Sequence, residues 1–156
     1  SPTIALEFAD MTTCTHVAQL ISRIILGVIL IAHGWDKFQI TGIEGITGFF
    51  DSIGVPAAAA AAPAVAFVEI VGGILILIGA FTRITGVVIT LLMLGAAVFA
   101  HFAQGIFVAN GGWELVGAIG AGTLLLAGVG AGAYSVDALL SKHRQQTPSE
   151  QELVNA

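Results

Sequence analysis

Residues 84–113, ITGVVITLLMLGAAVFAHFAQGIFVANGGW, contain no Asp, Glu, Lys or Arg over thirty consecutive positions. A helix that crosses a bilayer needs about 20 apolar residues, so this stretch is long enough for one crossing. The rest of the chain agrees, because 56% of its 156 residues are hydrophobic and 10% are charged. Soluble domains average roughly 25% charged residues. The sequence therefore predicts a polypeptide that folds in lipid rather than in water.

Four apolar segments are each long enough to cross a bilayer when tilt and flanking polar side chains are allowed for. These predicted crossings, first to fourth, cover residues 17–38, 63–81, 84–106 and 113–133. A chain in hydrocarbon must satisfy its own backbone hydrogen bonds, and the segments are too long and too uniformly apolar for barrel strands. We therefore predict an all-α integral membrane protein built as a four-helix bundle.

A short amphipathic helix is predicted between the first and second crossings. Apolar residues recur there at three- and four-residue spacing, at Ile43, Ile46, Phe49, Phe50 and Ile53. Glu44 and Asp51 lie off this stripe, which is typical of a helix that rests on the membrane surface. Pro63 is placed in the first turn of the second crossing.

The side of the membrane on which each loop lies is predicted from Lys and Arg, which concentrate on the cytoplasmic side. With four crossings, one side holds Arg23, Arg83, Lys142 and Arg144, and the other holds only Lys37. Both termini are therefore predicted to face the cytoplasm.

The chain is divided at the outermost crossings. Residues 1–16 are predicted to be an N-terminal cytoplasmic extension, 17–140 the transmembrane domain, and 141–156 a flexible polar tail. This leaves no room for a sizeable soluble enzyme. No basic cluster is present beyond Lys142–Arg144, so nucleic acid is not an expected partner. One cysteine, Cys14, excludes an internal disulfide.

Four ionisable residues fall near the outer face, one in each crossing: His33, Glu69, His101 and Glu114. A charged group at the bilayer centre costs about 2.5–3.5 kcal/mol on insertion scales, so it normally faces protein or water. At about 1.5 Å of rise per residue, the four lie within a layer of roughly 10 Å. We predict that they meet inside the bundle.

Two of these residues share a helical face with small residues, which allow helix backbones to approach closely in membranes. Glu69 lies on the face of Gly72, Gly73 and Ile76. Glu114 lies on the face of Gly117, Ala118 and Ala121. Both faces are predicted to pack inside the bundle.

Three hypotheses remain for this polar layer. It is a network that fixes helix register, a proton-accepting site for a quinol head group, or a metal site. His and Glu are suitable metal ligands, but the Glu-x-x-His pairs of four-helix di-iron sites are absent. We predict no metal and no catalytic residue.

Arg23 is interpreted as a structural charge, because it lies near the inner end of the first crossing. It either extends to the cytoplasmic interface or pairs with Asp137, which follows the fourth crossing on the same side. Ser135 is predicted to cap the short helix that contains Asp137.

An ordered set of short motifs runs through about residues 20–140. It comprises Arg23 with Leu26-Gly27, His33-Gly34 with Lys37, Gly54-Val55-Pro56, Glu69 with Gly72-Gly73, Gly79 before Thr82-Arg83, His101, Asn110-Gly111-Gly112 with Glu114, and Gly130 through Tyr134-Ser135 to Asp137. This set resembles the DoxX family of small four-helix integral membrane proteins. The resemblance implies an association with membrane redox systems, since the family's namesake is linked to a thiosulfate:quinone oxidoreductase.

We therefore predict a small accessory subunit of a respiratory-chain or other membrane redox complex, in a bacterial cytoplasmic membrane. Its role would be structural rather than catalytic, with no cofactor of its own. Its partners would be the lipid bilayer and the larger redox subunits. The alternative is a quinone-reactive membrane subunit in which His33, Glu69, His101 and Glu114 transfer protons. A carrier for a small solute is a third hypothesis, but the chain has no recognisable repeat.

Overall fold

The computed structural model describes residues 2–146, and within this range the chain is helical and contains no strand. The α-helices of the described range are α1 Pro2–Trp35, α2 Ile43–Ser52, α3 Ala58–Ile78, α4 Thr82–Ala96, α5 Glu114–Val129 and α6 Val136–Gln146. Helix α1 continues into a π-helical turn, Asp36–Ile40, and α4 continues into another, Ala97–His101. The predicted all-α fold class is confirmed.

Three helical stretches are long and apolar enough to span a membrane: Pro2–Ile40, Ala58–Ile78 and Thr82–Gln104. The chain is thus a multi-pass membrane protein. The fourth predicted crossing corresponds to α5, which has 16 residues and a length of about 24 Å. It ends before Ala133 because Gly130 adopts a φ of 80°, which stops an α-helix. The count of four crossings stays a prediction.

One helix extends beyond its predicted crossing, and one predicted helix start is wrong. The helix that contains the first crossing begins at Pro2 and runs without a break through residue 17. Helix α3 begins at Ala58, so Pro63 lies inside the helix rather than in its first turn. The alanines before Pro63 have the highest helix propensity of any residue, and a proline this close to the start removes only one backbone hydrogen bond. The boundary of the extension at residue 16 stays a prediction.

The end of the described chain also differs from the prediction. Residues 141–146 were predicted to belong to the flexible tail but form the second half of α6. The rest of that tail, residues 147–156, lies outside the described residues. The predicted cap of α6 is confirmed, since the Ser135 Oγ accepts a hydrogen bond of 3.2 Å from the Ala138 N–H.

Glycines bring the helices into close contact in two pairs, α1 with α3 and α4 with α5. A Cβ atom added to Gly27 would lie 2.8 Å from the Gly73 carbonyl oxygen, and one added to Gly73 would lie 2.9 Å from the Gly27 oxygen. A Cβ on Gly86 would lie 2.7 Å from the Thr123 oxygen. These positions let the backbones touch, as small residues do in membrane bundles. Helices α3 and α4, joined by a short turn, contact each other less.

The amphipathic stripe after the first crossing does form a helix, α2, which packs against α3 and buries Ile46. Gly42 and Gly54 flank it with φ values of 79° and 81°, a backbone region that glycine adopts without strain. The placement of α2 on the membrane surface stays a prediction. What the structure shows is that α2 covers one side of the bundle next to the polar layer.

Candidate functional site

A cavity of about 470 Å³ lies where α2 meets the ends of α1 and α4. Most of its wall is apolar and comes from five helices, through residues such as Leu30, Phe50, Val65, Met93 and Ile119. The volume falls within the range of about 300–1,000 Å³ that small-molecule sites occupy. The cavity is therefore large enough for an aromatic ring that carries short substituents.

Four ionisable residues line this cavity, namely His33, Lys37, Glu69 and His101, and together they are called its polar edge. The Lys37 Nζ donates a hydrogen bond of 2.8 Å to the Glu69 Oε2. Only 17% of the Lys37 side chain and 6% of the Glu69 side chain are exposed. A buried charge without a partner is strongly unfavourable, so each of these groups stabilises the other inside the bundle.

The two π-helical turns both supply residues to this polar edge. Lys37 lies in the turn after α1, where the Thr41 N–H bonds to the Asp36 carbonyl oxygen at 2.9 Å. His101 lies in the turn after α4, closed by the Phe102 N–H on the Ala97 oxygen. Such i→i+5 turns are rare and occur frequently at functional sites. Their position supports a role for the cavity beyond packing.

The imidazole rings of the polar edge each have one nitrogen engaged by the backbone. The Nδ1 of His33 lies 2.8 Å from the Ile29 carbonyl oxygen, and the Nδ1 of His101 lies 2.7 Å from the Gly111 oxygen. Because a carbonyl oxygen only accepts hydrogen bonds, each Nδ1 carries the proton. The Nε2 of each neutral ring is then an acceptor. A neutral His33 or His101 ring therefore keeps an Nε2 lone pair for a further hydrogen bond.

Three of the four predicted site residues line this one cavity: His33, Glu69 and His101. Glu114 does not. It begins α5 beside the cavity residues Gly112 and Leu115. The predicted packing of Glu69 with its neighbours is confirmed, since Gly72, Gly73 and Ile76 are all buried in α3. Whether any of the four residues has a functional role stays a prediction.

The predicted packing face of Glu114 is wrong. Ala118 and Ala121 are exposed, and α5 buries Ile119, Thr123 and Leu126 instead. The buried face is fixed by contacts with α4, including a hydrogen bond of 2.9 Å between the Thr123 and Thr90 hydroxyls. Small residues mark a face that admits another helix closely, but they do not say whether that helix belongs to the same chain.

Lys37 is the site residue that sequence reasoning missed, because it was counted as the basic residue of the outer side and as part of a motif with His33-Gly34, and not as a partner of Glu69. The signal was present in its spacing. Lys37 follows His33 by four residues, which places both on one helical face. A basic residue on the face of a predicted site residue was the natural partner for Glu69.

Arg23 lies far from the cavity, fourteen residues before Lys37, or about 21 Å along the helix. Only 1% of Arg23 is exposed, and its Nη2 donates a hydrogen bond of 2.6 Å to the Tyr134 carbonyl oxygen. Its Nε and Nη1 have no hydrogen-bond partner among residues 2–146. The guanidinium is thus held by the loop that follows α5, and the predicted extension of Arg23 to the membrane interface stays a prediction.

Asp137, the other partner predicted for Arg23, makes different contacts. Its carboxylate oxygens accept hydrogen bonds from the Phe81 N–H at 2.7 Å and the Thr82 N–H at 3.0 Å. It thereby caps the start of α4, and it influences Arg23 through its charge without forming the predicted hydrogen-bonded ion pair. The structural role assigned to both residues stays a prediction.

Metal binding was the third hypothesis for the polar layer. In the described part of the chain, no group of three or more His, Cys, Asp and Glu side chains is placed to hold a metal ion.

These features define the class of the protein as a multi-pass α-helical membrane protein with a cavity between its helices. The chain belongs to the DoxX family, whose sequence profile matches residues 18–102. A second profile, described as "TQO small subunit DoxD", matches residues 62–155. The resemblance seen in the sequence motifs is thereby confirmed.

Curated relatives are similar over most of the chain. The inner membrane protein YqjF of Escherichia coli K12 is 37% identical over 138 residues, which is 85% of this chain and 98% of YqjF. The inner membrane protein YphA of the same organism is 34% identical over 139 residues, 85% of this chain and 96% of YphA.

The putative oxidoreductase CatD of Bacillus subtilis 168 is 40% identical over 88 residues, or 56% of this chain. That match spans 63% of CatD, which is less than two thirds of its length. No solved structure matches the chain significantly.

Proposed function

We propose that the chain is a small integral-membrane accessory subunit of a membrane oxidoreductase complex. In this proposal it lies in a bacterial cytoplasmic membrane with four crossings, and both termini face the cytoplasm. The observation that carries the proposal is the match of residues 62–155 to a profile described as the small subunit of TQO. The name of the relative CatD, a putative oxidoreductase, supports the same kind of partner.

The outward face of α5 supports a subunit role. Ala118 and Ala121 are exposed there, and Gly128 has open space around its Cβ position. Without a hydrophobic driving force between helices in lipid, association depends on close packing, which small residues allow. This face is suited to a helix from a larger subunit.

Purification in a mild detergent from the native membrane tests the accessory role. We expect redox subunits to co-purify with the wild-type chain, and Ala118→Phe to release them because the ring blocks close helix approach. Val87→Phe, at an exposed position on α4, is the matched control and should keep them. A wild-type chain that purifies alone would contradict the proposal.

A second function is favoured by the cavity, namely that of a quinone-reactive subunit. The cavity joins a largely apolar wall to a polar edge whose Glu69 and histidine acceptors could receive protons. A quinol that is oxidised releases two electrons and two protons, and the electrons would pass to a redox centre in the partner subunit. In this hypothesis Glu69, His33 and His101 hold the head group and take up the protons.

The Glu69→Gln variant separates this second function from a purely structural network. It keeps the side-chain shape but removes a proton acceptor, so we expect quinol turnover by the complex to fall while assembly stays intact. Glu44→Gln, an exposed carboxylate on α2 that does not line the cavity, should leave turnover unchanged. Loss of assembly in Glu69→Gln would instead favour the structural network.

A further inference from the structure

We infer that the cavity binds the reduced form of a quinone, the hydroxyl-bearing quinol, more tightly than the oxidised form. This inference rests on the quinone-reactive role proposed above, and it names the redox form that the same site takes. It follows from the balance of hydrogen-bond donors and acceptors on the polar edge.

On the polar edge, more residues can accept a hydrogen bond from a ligand than can donate one. Glu69 Oε2 is engaged by Lys37, but no described residue donates a hydrogen bond to Glu69 Oε1. In a neutral His33 or His101 ring the Nε2 is a lone-pair acceptor, because the Nδ1–H is held by a backbone carbonyl. The donor is the Lys37 ammonium, which has two further N–H groups besides the one on Glu69.

The two redox forms of the ligand meet this edge differently. The oxygens of a quinone only accept hydrogen bonds, so on the polar edge a bound quinone accepts from Lys37 and displaces water from the buried Glu69 carboxylate without donating to it. A buried acceptor that loses water without gaining a partner is unfavourable. Each hydroxyl of a quinol donates as well as accepts, so a quinol bonds to Glu69 Oε1 or a histidine Nε2 and still accepts from Lys37.

The apolar wall does not distinguish the two forms. Leu30, Met93 and Ile119 line the cavity and contact the ring of either form in the same way, since the two rings differ by two hydrogen atoms. The difference in affinity therefore comes from the polar edge. One hydrogen bond to an ionised carboxylate corresponds to a preference of roughly tenfold.

The test compares two probes of matched size, duroquinol and duroquinone, by calorimetric titration without oxygen. The full chain is held in lipid nanodiscs, and empty nanodiscs correct for partition of the probes into lipid. We expect duroquinol to bind the wild type roughly tenfold more tightly than duroquinone. Glu69→Gln replaces an acceptor by an amide that also donates, so it should reduce this ratio severalfold. Glu44→Gln, which lies outside the cavity, should leave the ratio unchanged.

Equal binding of the two probes, or tighter binding of duroquinone, would overturn the inference while leaving the quinone-reactive role in place. If neither probe binds the wild type, the quinone-reactive role fails and the inference fails with it. The accessory role is judged separately, by co-purification. Should Glu69→Gln not fold, His33→Phe removes a different acceptor from an exposed residue and is expected to lower the same ratio.

Discussion

The two ends of the α1–α3 pair each hold a basic residue, half-buried Lys37 at one end and buried Arg23 at the other, but they use it differently. At one end Lys37 meets Glu69 on the wall of a cavity, and acceptor atoms remain free beside the pair. At the other end Arg23 bonds to the Tyr134 backbone, and Asp137 gives both carboxylate oxygens to the first turn of α4. We therefore expect ligand binding beside Glu69 and not beside Arg23. Only at Glu69 do unused hydrogen-bonding atoms lie next to a space that a ligand can enter.

The largest effect is expected from Gly73→Leu, which acts on both ends together. Its side chain would overlap the Gly27 carbonyl and Ile31 on α1, so α1 and α3 separate and the free energy of unfolding falls by about 4 kcal/mol or more. Thermal unfolding in detergent measures this. Gly128→Leu, with open space at its Cβ position, should change stability by less than about 1 kcal/mol. Equal losses of stability in the two variants would show that the contact between Gly27 and Gly73 is not what holds α1 and α3 together.

Asp137→Ala should damage only the Arg23 end. It leaves the Phe81 and Thr82 N–H groups without their acceptor, which lowers the free energy of unfolding by about 2–3 kcal/mol. Binding of the duroquinol probe at the cavity should be retained. Asp51→Ala, at an exposed position on α2, is the control for loss of a carboxylate. If Asp51→Ala lowered stability as much as Asp137→Ala, the proposed role of Asp137 in capping α4 would be contradicted.

Lys37→Met tests the cavity end. It leaves Glu69 without its ion-pair partner, which typically costs about 3–5 kcal/mol in a closed interior. Because this carboxylate borders a cavity large enough to hold water molecules, we expect a smaller loss, about 1–2 kcal/mol. The double variant Lys37→Met with Glu69→Gln should recover part of it, as a double-mutant cycle of unfolding measurements would show. A double variant less stable than Lys37→Met alone would indicate that the pair is not coupled in this way.

The smallest effect is expected from Thr90→Val, which lies between the two ends. It removes the hydroxyl contact between Thr90 and Thr123, while the Thr123 hydroxyl keeps its bond to the Gly120 carbonyl oxygen. Hydrogen bonds between membrane helices average about 0.6 kcal/mol, so the change in unfolding free energy should be of that order. A loss above about 2 kcal/mol would mean that the α4–α5 contact depends on this bond more than on packing.

The helices and much of the cavity's polar edge could be predicted from the sequence, because a lipid environment restricts which structures a membrane-spanning segment can adopt. Long uncharged segments must be helices, and the ionisable residues inside them must face the bundle. That rule located His33, Glu69 and His101. It did not locate the start of α1 at Pro2, since hydropathy detects the part of a helix that lies in lipid and not how far the helix continues beyond it.

Other features depend on contacts that a single sequence does not specify. The face of α5 that packs inside the chain is chosen by α4, so the small residues beside Glu114 gave the wrong face. The π-helical turns carry no pattern of their own, because an i→i+5 hydrogen bond uses the same backbone groups as an α-helical one. Lys37 was therefore not placed against Glu69, although its spacing from His33 was visible.

The π-helical turns have a consequence for how this chain tolerates changes of length. Each turn takes in one more residue than an α-helical turn, and one residue corresponds to about 100° of rotation about a helix axis. Deleting Asp36, or one of residues 97–100, would replace the π-helical turn by regular α-helix, and it would rotate Lys37 or His101 away from the cavity. At these two places the number of residues matters as well as their identity.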